Sequence, residues 1–120
     1  MIIAIDFDGT ICRGTYPAIE GQQPYAREII NRLHADGHYL IVWTCRTRDH
    51  LTDAINWLLE QDIRFHRVNA GNPDNIAMYG DEGKKIFAHV YIDDKNLGGF
   101  PGWMEAERMI EEMQQCLINT

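Results

Sequence analysis

The sequence predicts a single α/β domain of three layers, α/β/α, around a central, mostly parallel sheet. Three observations carry that prediction. The runs "IIAI" (2–5) and "YLIVW" (39–43) have strand length and are continuously apolar, as in strands buried on both faces of a parallel sheet, and "AHVYI" (88–92) reads as a further parallel strand. Helical patterns separate them, and the order β, α, β, α, β, loop, β, α puts helices on both faces of such a sheet. The chain has 120 residues, 45% hydrophobic and 24% charged, which suits one globular domain, here 1–120, with a core of its own.

Each element has its own signal. The run at 2–5 opens the chain and is expected inside the sheet. Pro24 suits the first turn of a helix, and Ala26, Ile29, Ile30 and Leu33 follow at i, i+3, i+4 and i+7 before a stop at Gly37. The second strand, 39–43, ends at Thr44. Leu51, Ala54, Ile55, Leu58 and Leu59 mark a second amphipathic helix, and 63–68 ("IRFHRV") alternates as a third, shorter strand nearer an edge. Residues 69–83 are rich in Gly and Asn and predict a long loop, with room for a helical turn after Pro73. The strand at 88–92 ends in Asp93-Asp94, and Trp103, Ala106, Ile110, Met113 and Leu117 give a closing helix.

Composition excludes several functions. A net charge of −7 disfavours tracking a phosphate backbone, so no nucleic-acid partner is expected. The N-terminus has no basic segment, and Asp6 interrupts its apolar run, which is unlike a signal peptide. No run is long enough to span a membrane. Cys12, Cys45 and Cys116 match neither a zinc site nor a disulfide framework and read as reduced thiols of a cytoplasmic protein.

Right-handed crossovers bring all strand C-termini to one edge of the sheet, where ligands bind beside the point of reversal in strand order. Asp6 and Asp8 follow the first strand, Thr44 the second, and Asp93 and Asp94 the last long one. Four carboxylates in one cleft repel one another unless a cation is shared. Oxygen-only ligation suits Mg²⁺, which keeps several waters and bridges to phosphate.

"DFDGT" (6–10), Thr44 after a strand, a lysine before a late strand and "IDD" (92–94) resemble, in this order, the four motifs of the haloacid dehalogenase (HAD) superfamily. The resemblance covers nearly the whole chain. "WTCR" and "YIDDKNLGGFPGW" are similar to segments of short bacterial and phage hydrolases in it. The resemblance implies a Rossmann-like, HAD-like fold and a Mg²⁺-dependent phosphatase acting on a phosphorylated substrate. Asp6 would be the nucleophile that becomes an aspartyl-phosphate. Asp8 would be the general acid and then the base. Thr44 and one lysine would bind the phosphoryl group. Mg²⁺ would rest on Asp6, the Asp8 carbonyl oxygen and the Asp93-Asp94 pair, either of which could touch it directly. Lys84 and Lys85 are adjacent; the spacing to "YIDD" favours Lys85. Dehalogenases of the superfamily lack an acid at the second aspartate, so Asp8 favours phosphate chemistry.

Arg46 follows Thr44 and reads either as a ligand for a second anionic group of the substrate or as a surface residue. Cys45 reads as a small packing residue and the five histidines as surface residues. Residues 11–23 leave room only for a short flap, so no cap domain is expected, and a capless site is open or covered by a neighbouring subunit of a homo-oligomer. The loop 69–83 and residues 96–103 are the expected walls. Phe100 and Trp103 could stack on a base or sugar, though Trp103 lies on the apolar helix stripe and fits core packing better. Alternatives to the phosphatase are a phosphotransferase and a non-catalytic receiver-like or assembly protein.

Overall fold

The computed structural model describes residues 1–118. Strand β1 (Ile2–Ile5) leads into a small antiparallel hairpin of β2 (Cys12–Arg13) and β3 (Gly21–Gln22), the expected flap. Helix α1 (Ala26–Ala35), β4 (Tyr39–Val42), α2 (Arg48–Glu60), β5 (Arg67–Val68), α3 (Pro73–Tyr79), β6 (Val90–Ile92) and α4 (Trp103–Ile118) follow. The sheet order is β5-β4-β1-β6 and every pairing in it is parallel. β1 is therefore internal, as its apolar run predicted, and strand order reverses there.

The layering is less symmetrical than expected. Ile3, Ile5, Leu40 and Val42 share a core with Ile29, Leu33, Leu58, Trp103 and Ile110, from α1, α2 and α4. The opposite face, carrying Ala4 and Ile41, is covered by Ile86 and Ala88 from the irregular segment before β6. Right-handed crossovers from β1 to β4 to β5 place α1 and α2 on one face. The return from β5 to β6 holds only α3, which buries none of its residues.

Two strands start later than expected because histidine side chains take their first rungs. At the predicted third strand, Leu40 N–H donates to His66 Nδ1 (3.0 Å) while His66 N–H donates to the Leu40 carbonyl (2.8 Å), so only β5 remains strand. Ahead of β6, Ile2 N–H donates to His89 Nδ1 (2.8 Å) and His89 N–H to the Ile2 carbonyl (2.8 Å). The surface reading fails for His38, which is buried, with Nδ1 3.0 Å from the N-terminal nitrogen. Helix α1 begins at Ala26 rather than Pro24, since Tyr25 takes a left-handed conformation (φ 65°). Leu59 and Leu117 lie off the core, on exposed faces. No helix among the described residues is long and apolar enough to cross a membrane.

Candidate functional site

The strand C-termini form a cleft of about 360 Å³ lined by Asp6, Asp8, Tyr16, Thr44, Cys45, Arg46, Asp93, Asp94 and Lys95. Asp6 continues the sheet by one rung, its N–H donating to the Ile92 carbonyl (2.9 Å). The chain then turns sharply: the Phe7 carbonyl accepts from the N–H groups of Thr10, Ile11 and Cys12 at 3.3, 2.9 and 3.1 Å. Gly9 makes this possible with φ +82°, and a Cβ there would overlap the Asp94 carboxylate.

Thr10 explains why Gly-Thr follows the aspartates. It is fully buried; its Oγ1 donates to Asp6 Oδ2 (3.2 Å) and accepts from Asp94 N–H (3.1 Å), joining the ends of β1 and β6. Trp103 Nε1–H donates to the Thr10 carbonyl (2.8 Å) from the start of α4. Trp103 is therefore a buried brace and not a stacking platform. Gly9→Ala is expected to misfold this turn, since the left-handed conformation alone costs about 1–2 kcal/mol. Proton–carbon correlation spectra should show resonances shifted around Asp94, with divalent-cation binding lost.

Asp6, Asp93 and Asp94 each offer a carboxylate oxygen, and these oxygens lie within 4.8 Å of one another. The Asp6 carboxyl is pushed up to about 7, first by burial, then by the charge of Asp93 and by a hydrogen bond with Asp94. A divalent cation would relieve that repulsion, and an all-oxygen set suits Mg²⁺. The Asp8 carboxylate is not in this cluster.

The raised Asp6 value has a sign that can be tested. An unfolded aspartate ionises near 3.8, whereas folded Asp6 keeps its proton up to about 7. Between those values the unfolded chain binds fewer protons, so Asp6 makes the cation-free protein less stable as pH rises from about 4 to about 7, with no further loss above. Thermal unfolding in chelator should show this as a slope present in wild type and missing in Asp6→Asn. Mg²⁺ should weaken it by binding the ionised form.

Asp8 faces Arg46 instead. Arg46 Nε–H donates to Asp8 Oδ2 (2.8 Å) and an Nη2–H to Oδ1 (2.7 Å). Other guanidinium N–H groups donate to the Pro17 carbonyl (3.0 Å) and the His50 carbonyl (3.1 Å). Arg46 is only 1% exposed. It is neither a surface residue nor a free anion ligand; four of its five guanidinium N–H donors are committed within the protein. Cys12, with Sγ 3.8 Å from Asp8, is buried and its thiol is pushed up to about 11, first by burial and then by the Asp8 charge, which makes it inert. Cys45, expected to pack, is exposed in the cleft.

Thr44 reaches the cleft as expected. Asn69, which the sequence reading passed over, pins it from just past β5: Thr44 N–H donates to Asn69 Oδ1 (2.8 Å) and Asn69 Nδ2 to the Thr44 carbonyl (2.9 Å). An Asn one residue past a short strand was the available signal, since Asn tolerates the positive φ (52°) found there.

Lys85 is not brought to the cleft. Its Nζ stands 4.9 Å from the Tyr91 ring centroid, and the residue lines a separate hollow with Glu82 and Phe87. Lys84 is exposed on the same segment. The lysine at the cleft is Lys95, with Nζ 3.8 Å from Asp94 Oδ2. The expected walls also differ. Within 69–83, Pro73–Tyr79 form α3, capped by Asn72 and ended by Gly80; none of 69–83 lines the cleft, and Tyr16 of the flap stands there instead. A wider hollow of about 720 Å³, between Tyr25, Phe100 and Arg108, is lined by none of Asp6, Asp8, Asp93 and Asp94.

No family model and no curated protein matches the chain. Among solved structures, it is similar to a conserved protein coded by a locus of Bacteroides thetaiotaomicron, with 36% identity and a TM-score of 0.84 over 94% of this chain and 91% of that one.

Proposed function

The chain belongs to the same family as the conserved Bacteroides thetaiotaomicron protein, and from its cleft we propose a Mg²⁺-dependent phosphomonoester phosphatase of HAD type, capless and cytoplasmic. The observation that carries this reading is the joining of Asp6, Asp93 and Asp94 within 4.8 Å, with Asp8 two residues beyond Asp6 at the same edge.

Asp6 and the Asp93-Asp94 pair would hold the cation, which supplies positive charge that offsets repulsion between the nucleophile and the phosphoryl oxygens. Asp6 Oδ attacks phosphorus in line, forming an O–P bond as the bond to the leaving oxygen breaks. The departing electron pair stays on that oxygen, which takes a proton from the Asp8 carboxyl. Water then attacks phosphorus and gives its proton to Asp8. The Asp6–phosphorus bond breaks, its electrons return to Asp6, and inorganic phosphate leaves. Thr44 donates a hydrogen bond to a phosphoryl oxygen. Lys95, at the cleft, takes the charge-neutralising part expected of Lys85.

The test is phosphate release from nucleotides, sugar phosphates, phosphopeptides and oligonucleotide ends, with Mg²⁺, with chelator, and with Asp6→Asn. Release that needs both the metal and Asp6 is expected. Release indifferent to either would overturn the reading.

A further inference from the structure

We propose that Arg46 is the positioning residue for Asp8, fixing the plane and rotamer in which Asp8 meets the leaving group. The inference deepens the phosphatase reading and rests on it.

Arg46 holds both Asp8 oxygens with its planar fork, at 2.8 and 2.7 Å. The guanidinium is itself immobilised. The His50 carbonyl on the first turn of α2 and the Pro17 carbonyl on the flap take two more of its N–H groups. The rings of Phe7 and Tyr16 lie on it, with centroids 5.1 and 5.0 Å from its central carbon. Four of the five guanidinium N–H donors are thus placed, on three separate stretches of chain. No other charged side chain of the cleft is so fully determined.

A purely stabilising role fits this poorly. Burying an ion pair costs desolvation that its attraction barely offsets, and an apolar pair of equal volume serves stability as well. The pair is also lopsided: the Arg46 side chain is 1% exposed, while that of Asp8 is 31% exposed and lines the cleft. A carboxylate has about four lone-pair sites, and the fork takes one on each oxygen. The others stay available to a proton on the cleft side. A buried anchor with an open working end is how a supporting shell orients a reacting group.

The test compares two esters whose leaving groups differ in need of a proton. p-Nitrophenolate leaves unaided, whereas the alkoxide of glycerol phosphate must be protonated as it departs. kcat/KM reports the step that expels the leaving group. Arg46→Gln is expected to lower kcat/KM for glycerol phosphate by about 10²-fold and for p-nitrophenyl phosphate by less than about threefold. In an Asp8→Asn background the same change should add less than about threefold on either ester, because Arg46 acts through Asp8. Arg46→Lys keeps the charge, loses the fork and should show the same selectivity in smaller measure; it carries the test if Arg46→Gln does not fold. Equal losses on both esters, or a full loss added to Asp8→Asn, would overturn the positioning role. A wild type with no Asp6-dependent turnover of either ester would overturn the phosphatase reading instead.

Discussion

Under the proposed mechanism, Asp6→Asn is expected to lower phosphate release from every phosphomonoester by about 10⁴-fold or more, because it removes the atom that would form the covalent bond. Acid quench and intact-mass measurement should find a phosphoryl adduct on the wild type during turnover and none on the variant. The same substitution should raise the thermal midpoint in chelator above pH 7. There Asp6 is ionised, half-buried and faced by Asp93 and Asp94, and an isosteric amide removes that repulsion. Loss of activity with gain of stability would mark a residue kept for chemistry. Turnover within tenfold of wild type would remove Asp6 from the mechanism.

Asp8→Asn is expected to act differently on the two halves of the proposed reaction. For glycerol phosphate, kcat/KM should fall by about 10²–10⁴-fold, since no proton reaches the alkoxide. For p-nitrophenyl phosphate, kcat/KM should be nearly unchanged while kcat falls, because the attacking water loses its base. Stopped-flow absorbance should then show a burst of p-nitrophenolate followed by a slow steady state. The variant should also be less stable by about 1.5–3 kcal/mol, as the buried Arg46 loses its anion. A variant with wild-type turnover of glycerol phosphate would reassign the proton to another group.

Much of the fold was legible because burial on two faces leaves an unmistakable mark. The runs at 2–5 and 39–43 became β1 and β4, and the stripe through Ile29, Ile30 and Leu33 became the buried side of α1. The acidic cluster was legible for a topological reason: residues just past parallel strands converge whatever their separation in sequence. What escaped notice depended on atoms rather than on pattern. Whether Arg46 lies outward or folds under the flap depends on four hydrogen bonds to three residues, Asp8, Pro17 and His50, which no local spacing encodes. Lys85 was placed by spacing, yet the segment before β6 turns it onto the ring of Tyr91. Asn69 looked like part of a polar loop and is a tether for Thr44.

The imidazoles of His66 and His89 stand where peptide carbonyls would accept in a longer strand. An accepting Nδ1 must carry no proton, so each neutral ring holds its hydrogen on Nε2, and the tautomer is set by the backbone of the adjoining strand. For His66, burial and the charge of stacked His34 both push the pKa down, which favours that neutral form. Protonating either ring would turn an acceptor into a donor aimed at a donor. The sheet therefore begins, on both sides of its central pair, with a rung that only an uncharged imidazole can make.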